Sequence, residues 1–380
     1  MYTFQQIEPT DSLWAQIEQS ADATCFHTKA WYKHLQKTYH YEPFIVTINY
    51  EDNTGGVFCG VRKFGKYIYA PPMRTGTYTQ GIVSFTDISS EERVRMYREL
   101  AEWIFTNRIA RAIKVDDWAL RQDWTNKDWI AENLYHDSRL EGIEHIGRPV
   151  YTIDLGADEN VLWSRLHYKS CKYCINKARK YGLSVHQVTD CNEITEFVKI
   201  HVDQINDVSR RHGEKGARYQ NYKELYSLCS TLFPNNILML QVLGKDENEK
   251  MQVMSSGIWI IGKSQTIWFT ASSYQRYQKY CPNELMNWEA MLLLHRMGCL
   301  RANTGGMASY KGKYGSILEY VPRMIFRKTP YVILPDEVIK KLYIQLRNLR
   351  HRWHIGLTHK KIKSTKNSDN TNLNNRTFLR

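Results

Sequence analysis

A short segment rich in lysine and glycine carries residue types that could stabilise a developing negative charge. It reads Tyr310-Lys311-Gly312-Lys313-Tyr314-Gly315. A lysine flanked by an aromatic residue and glycines can bring its point charge to a developing oxyanion or to a substrate phosphate. We therefore predict catalytic roles for Lys311 and Tyr310, and substrate contacts for Lys313 and Tyr314. A solvated turn lysine is the alternative for Lys311.

Acyl transfer to an amine is one reaction that passes through such an oxyanion, and it requires few protein groups. The donor ester or thioester is already activated, so the protein has to align the amine, relay one proton and stabilise the oxyanion. The sequence shows no nucleophilic serine or cysteine with a base partner. We therefore expect direct attack by the amine, without an acyl-enzyme intermediate.

The elements that precede this segment could position it against an anionic group. Two apolar runs, Val253–Ile261 and Thr266–Ala271, predict strands, and an amphipathic helix is predicted at about Asn283–Met297. The start of that helix offers free backbone N–H groups to an anion. Arg276 and Lys279 in the intervening loop are further substrate-binding candidates. The loop lacks the glycines that allow close approach to a pyrophosphate, which weakens coenzyme A as the donor without excluding it.

The order of predicted elements repeats along the chain. A helix at about Lys29–Tyr39 precedes a hairpin in the first half, and a helix near Tyr222–Leu232 precedes a meander in the second. Two copies half a chain apart indicate a duplicated α+β unit. We predict an N-terminal domain at 1–150, a C-terminal domain with the transfer site at 151–335, a basic helix at 336–358 and a disordered basic tail at 359–380.

A basic stripe and a cysteine pair lie at the start of the second half. Five polar residues at helical spacing predict one helix face that could follow a phosphate backbone: Arg165, Lys169, Lys172, Asn176 and Lys180. Of these, Lys169, Lys172 and Lys180 are the predicted phosphate contacts, and a solvated helix face is the alternative. Cys171 and Cys174 form a C-x-x-C pair without an evident second ligand pair, so we predict half-buried helix cysteines and no metal site.

The second half resembles the Fem peptidoglycan aminoacyltransferase family and its acetyltransferase-type relatives. The matching residues are Tyr151–Val185, Ser272-Ser273, Cys281-Pro282-Asn283-Glu284-Leu285, Trp288-Glu289-Ala290, Gly298, Gly305-Gly306, Tyr310-Lys311 and Tyr314-Gly315. The resemblance implies an α+β fold of two tandem GNAT-like domains, each a mixed, mainly antiparallel sheet flanked by helices. The first half matches more weakly.

The resemblance also implies roles for single residues. Lys311 would contact the tRNA end or the acceptor, and Arg211 and Lys33 would contact the acceptor. Exposed helix residues are the alternatives for both of the latter. Asn303 stands where relatives often have Asp before Gly-Gly, which leaves the proton relay open. The long helical arm that binds tRNA in the family has no counterpart in this sequence, which weakens a tRNA donor, although armless relatives exist.

Composition limits the function without selecting it. The chain has 380 residues, a net charge of +13 and eight scattered cysteines, and it has no apolar run long enough to span a bilayer. A basic body suits an anionic partner such as RNA, a nucleotide diphosphate, coenzyme A or an acidic membrane surface. We expect a cytoplasmic protein, with or without peripheral contact at the inner membrane face, and no tightly bound cofactor.

Together these observations predict a Fem-like transferase. It would move an acyl or aminoacyl group from acyl-coenzyme A or aminoacyl-tRNA to an amine of a nucleotide- or lipid-linked peptidoglycan or polysaccharide precursor. Two alternatives stay open. One is a coenzyme A-dependent N-acetyltransferase that acts on an amino sugar, and the other is a non-catalytic module that binds RNA or a membrane surface.

Overall fold

The computed structural model describes most of the chain. The described ranges are 2–51, 53–70, 81–121, 148–212, 222–305, 309–329, 331–335, 338–339, 341–342 and 345–346. Residues Met1–Pro330 form one compact unit and Tyr331–Arg380 form a second. In the second unit the described residues from 335 onward are helical. They overlap the predicted basic helix, whereas the predicted tail, 359–380, lies outside the described ranges.

The first unit consists of two β-sheets and the helices that flank them. In chain order its strands are β1 Tyr2–Ile7, β2 Glu42–Tyr50, β3 Asn53–Lys63, β4 Tyr67–Ala70, β5 Ile82–Ser84, β6 Ala112–Asp116, β7 Arg148–Asp154, β8 Ser184–Gln187, β9 Ile237–Lys245, β10 Met251–Ile260, β11 Thr266–Ser273, β12 Arg301–Asn303, β13 Ile317–Val321 and β14 Arg323–Arg327. Its α-helices are α1 Asp11–Gln19, α2 Lys29–Tyr39, α3 Ser90–Thr106, α4 Glu159–Arg165, α5 Tyr173–Lys180, α6 Ile194–His212, α7 Lys223–Leu232 and α8 Pro282–Arg296. None of the described helices is both long and apolar enough to cross a bilayer.

The first sheet follows the order β1-β2-β3-β4-β6-β14, and β5 pairs with β3. Its pairs are antiparallel except β4 with β6. The hairpin predicted from the first half is confirmed as β2 and β3. Alternate residues of these strands, including Phe44 and Phe58, pack with Leu100 of α3 in one apolar core. Burying each such side chain contributes about 1.5–3 kcal/mol.

The second sheet follows the order β13-β7-β12-β11-β10-β9-β8. The predicted meander is confirmed, because β9, β10 and β11 pair antiparallel in succession. The chain then passes through α8 and returns as β12, which pairs parallel to β11. A separate apolar core, which includes Leu240, Met254 and Trp288, lies between this sheet and its helices.

The two halves share a topology. In each, an antiparallel meander is followed by a helix and then by a strand parallel to the last meander strand, which is β4 with β6 in one half and β11 with β12 in the other. The corresponding helices α2 and α7 contact each other, with Thr38 Oγ1 2.8 Å from Ser227 Oγ. This repetition confirms the predicted α+β fold of two mixed, mainly antiparallel sheets flanked by helices.

The last strand of the unit crosses between the halves. β14 follows the second sheet in the chain, yet it pairs antiparallel with β6 of the first. Arg323 at its start donates to both carboxylate oxygens of Asp116 on β6, at 2.5 and 2.6 Å. The division at residues 150 and 151 stays a prediction, but a contiguous C-terminal domain would have to exclude β14.

Helix α8 differs from the predicted amphipathic helix. Nine of its fifteen residues are buried, among them Leu285, Met286, Trp288 and Met291. The reason is its position, because it packs on β9, β10 and β11 on one side and on α5 on another. A helix that is covered on several sides has apolar residues around most of its circumference.

Candidate active site

A cavity of about 710 Å³ opens where the second sheet separates. Pairing between β11 and β12 covers only Thr266 with Ala302 and Ile267 with Asn303. Beyond that point residues 268–271 of β11 line the cavity. The first turn of α8 and the 3₁₀-helix Ser309–Tyr314 form other parts of the wall. The cavity therefore exposes a strand edge, a helix start and the lysine-rich segment to one space.

Lys311 lies in the wall of this cavity. Its ammonium group donates a hydrogen bond to the carbonyl oxygen of Thr304, which directly follows β12. The side chain is half-buried, and burial lowers the pKa of Lys311. A desolvated ammonium group held by a backbone carbonyl is a strong and well-positioned donor. The predicted catalytic lysine thus has access to a ligand-sized space.

Neighbouring side chains attach the lysine-rich segment to α8. Lys313 Nζ lies 2.5 Å from Glu284 Oε1. The hydroxyl of Tyr314, which is buried, accepts a hydrogen bond of 2.9 Å from Asn287 Nδ2. Tyr310 is 57% exposed at the cavity rim. All four predicted residues of this segment line the cavity. Two of them, Lys313 and Tyr314, also hold the segment against α8.

Two asparagines on α8 were missed from the sequence. Asn283 and Asn287 line the cavity, and the amide oxygen of each is buried without a hydrogen-bond partner in the described part of the chain. Their amide nitrogens are engaged, with Ser273 Oγ at 3.0 Å and with Tyr314. Buried oxygens without donors are costly, so a ligand N–H group could satisfy them. The sequence signal for this pair is two asparagines four residues apart, which share one face of a helix.

Polar side chains of α6 contact the end of β11. His201 Nδ1 on α6 is 2.6 Å from Ser272 Oγ, and the Ser273 N–H donates to Gln204 Oε1 at 3.2 Å. Burial lowers the pKa of His201, so its imidazole is neutral at pH 7. Gln204 itself lines the cavity. These contacts attach α6 to the end of β11, and the spacing of residues in the sequence does not reveal them.

Other predicted residues lie outside the cavity lining. Asn303 is fully buried, and its side-chain oxygen accepts from the Gly305 N–H at 2.8 Å. Arg276 stacks over the rings of Tyr274 and Tyr277. Lys279 pairs with Glu247 at 2.5 Å. In this structure Asn303 shapes a turn, and the two cations are held by their own neighbours.

The two candidates implied by resemblance lie on other helices. Lys33 is exposed on α2 in the first half of the chain. Arg211 is near the end of α6, and its side chain is outside what the structure describes. Their contacts with an acceptor stay predictions.

The predicted basic stripe is wrong as one continuous helix face. α4 ends at Arg165, extended backbone follows at Leu166 and His167, and a π-helical turn, Tyr168–Lys172, precedes α5. Arg165 therefore belongs to another helix and pairs with Asp154 at 3.2 Å. Lys169 and Lys180 are exposed, while Lys172 donates to a carbonyl oxygen in α4. The break arises because backbone at Leu166 and His167 leaves the helical region, which residue spacing alone does not report.

Known proteins share this architecture. No protein-family model and no curated protein matches the chain. The crystal structure of FemX is similar with a TM-score of 0.64 at 12% identity, over 85% of this chain and 97% of FemX. A conserved protein of unknown function from Bacteroides thetaiotaomicron VPI-5482 is similar with a TM-score of 0.54 at 11% identity, over 86% of this chain and 99% of that protein.

At such identities the similarity concerns the fold. It extends over both sheets, because each comparison covers most of both chains. The resemblance expected from the sequence motifs is thereby confirmed for the architecture, and the chain has a FemX-like fold.

Proposed function

We propose that this chain is an acyltransferase or aminoacyltransferase. It moves the group from an activated donor, aminoacyl-tRNA or acyl-coenzyme A, to an amine of a peptidoglycan or polysaccharide precursor. The observation that carries the proposal is the Lys311 ammonium group, half-buried in the cavity wall where the sheet separates. The FemX-like fold supports this choice of chemistry.

The proposed step is direct attack on the donor carbonyl. The acceptor nitrogen forms a bond to the carbonyl carbon, and the C–O bond of an aminoacyl ester or the C–S bond of a thioester breaks. The nitrogen loses one proton, and the leaving alkoxide or thiolate gains one, with solvent as the carrier. In the tetrahedral intermediate the Lys311 charge stabilises the oxyanion. Removal of such a donor typically costs about 10²–10³ in kcat.

The two asparagines of α8 are proposed to orient the nitrogen nucleophile. Their amide oxygens lie four residues apart on one helix and lack donors among the described residues. An amine or amide N–H in the cavity would supply those donors. Because the two amide nitrogens are already held, the oxygens are oriented before the ligand enters, which reduces the entropic cost of alignment.

An anionic handle on the substrate would suit the same space. Helix α8 begins in the cavity wall, and the backbone N–H groups of its first turn point toward the helix start. No side-chain cap accepts from them. Lys169, Lys172 and Lys180 are proposed as contacts for a longer phosphate chain, as in tRNA. Both proposed donors are made in the cytoplasm, so we place the reaction there, with peripheral membrane contact if the acceptor is lipid-linked.

The test compares donors and a matched pair of lysine variants. Acetyl-coenzyme A or charged tRNA is incubated with a nucleotide-activated muropeptide or an amino sugar, and the mass gain of the acceptor is measured. We expect Lys311→Met to lower kcat about 10²–10³-fold. Lys37→Met, which removes an exposed lysine on α2, should leave kcat unchanged. Equal activity of both variants would refute the role of Lys311. The absence of a product and of any ligand-induced rise in melting temperature with these compounds would refute the proposed function.

A further inference from the structure

Three potential metal ligands from two separate helices meet in the cavity wall. Cys174 lies on α5, Cys281 directly precedes α8, and Glu284 is in the first turn of α8. One ligand atom from each lies within 4.8 Å of the other two. All three residues line the cavity and are half-buried. Of the C-x-x-C motif only Cys174 belongs to this set, and its two partners lie in Cys281-Pro282-Asn283-Glu284, more than a hundred residues later in the chain.

The separation of these atoms suits a tetrahedral ion. With Zn–S bonds of about 2.3 Å and tetrahedral angles, two sulfur ligands lie about 3.8 Å apart. The two thiolates are soft ligands and the carboxylate is a hard one, and a set with two thiolates favours zinc over magnesium or calcium. Because the ligand atoms lie within 4.8 Å of one another, side-chain movements of at most about 1 Å would bring them to such separations.

The surroundings hold the ligands in place. Lys313 engages one oxygen of Glu284 at 2.5 Å, which orients the carboxylate and leaves its other oxygen for an ion. Cys281 has a φ of +60°, and Pro282 fixes the next residue at the start of the helix. A zinc ion with two thiolates and one carboxylate carries a net charge of −1, which the Lys313 ammonium group offsets. Such balance lowers the cost of burying the charges.

We infer that Cys174, Cys281 and Glu284 form a zinc site in the cavity wall, with the fourth coordination position open to the cavity. This assignment revises the expectation of no metal site. It does not depend on the proposed transfer reaction, since it rests on the position of three side chains. A coordinated zinc would keep the start of α8 attached to α5 and would present a Lewis acid to any ligand in the cavity.

The experiment uses cobalt as a spectroscopic probe. Reduced full-length protein is freed of metal and titrated with Co²⁺, and sulfur-to-cobalt charge-transfer bands and tetrahedral d–d bands are recorded. We expect both bands to appear and to vanish on addition of zinc. Cys174→Ala, Cys281→Ala and Glu284→Gln should each weaken Co²⁺ binding by about 100-fold or more. Cys299→Ala, which removes a buried cysteine outside the set, should keep the spectrum.

Several outcomes would overturn the site. These are an octahedral spectrum, no spectrum in the reduced protein, or a spectrum that survives in both Cys174→Ala and Cys281→Ala. A Cys174–Cys281 disulfide, seen as the loss of two hydrogen masses under the conditions of purification with no Co²⁺ binding after reduction, would also overturn it. Circular dichroism of each variant shows whether it is folded, and the wild-type spectrum decides the question if one is not. The cobalt experiment does not measure transfer by the Lys311 variants, so either proposal can be refuted without the other.

Discussion

Gly315 offers a way to test whether the position of the lysine-rich segment matters. It ends the 3₁₀-helix Ser309–Tyr314 with a φ of +74°, and Gly298 ends α8 with a φ of +77°. A Cβ at 315 would lie 2.7 Å from Arg165 Cβ and 3.0 Å from its carbonyl oxygen, whereas a Cβ at 298 would meet nothing within 4 Å. The two alanine variants therefore share the backbone strain and differ in the overlap.

The magnitudes follow from these contacts. The left-handed conformation costs an alanine about 1–2 kcal/mol, and this applies to Gly298→Ala and Gly315→Ala alike. Overlap with Arg165 backbone and Cβ atoms adds about 1–3 kcal/mol in Gly315→Ala. The overlap is relieved by movement of the end of α4 or of the segment that carries Lys311, and the second movement would affect transfer. A displacement of about 1 Å there would lower kcat about 10²-fold.

The assay is urea denaturation together with transfer kinetics at a temperature where both variants are folded. We expect Gly315→Ala to lose more free energy of unfolding than Gly298→Ala and to be the one with lowered kcat. An equal loss of stability would show that the overlap is relieved without cost. An unchanged kcat in Gly315→Ala, despite the larger loss of stability, would show that the placement of the segment is not important for transfer.

Two further predictions concern buried charges. Arg323→Met leaves the buried carboxylate of Asp116 without its bidentate partner, so we expect the free energy of unfolding to fall by about 3–5 kcal/mol. Arg296→Met, which breaks a surface pair with Glu159, should lower it by less than about 1 kcal/mol. A similar small loss in both variants would contradict the attachment of β14 to β6. Burial lowers the pKa of His34 to about 4, so the unfolded chain binds the proton more tightly than the folded one. The free energy of unfolding should therefore be at its full value above about pH 6.5. It should fall by on the order of 3 kcal/mol as the pH drops toward 4. His34→Gln should remove that part of the pH dependence, and an identical slope in wild type and variant would contradict it.

Much of the local structure could be predicted from residue spacing and turn chemistry. The hairpin β2–β3, the meander β9–β11 and the end of α8 at Gly298 depend on residues that are close in the chain, so alternation and helix-ending signals report them. The lysine-rich segment was identified for the same reason, because its lysines and glycines are neighbours in sequence.

Only the tertiary structure decided which distant residues meet. The pairing of β14 with β6 and the approach of Cys174 to Cys281 and Glu284 join residues far apart in the chain, and spacing carries no information about them. The same holds for the orientation of Asn283 and Asn287, since their place in the cavity depends on where the sheet separates. Local patterns thus determined the hairpin, the meander and the choice of Lys311 as a candidate. Long-range packing determined the cavity, the two asparagine oxygens in it that lack donors, and the three potential metal ligands in its wall.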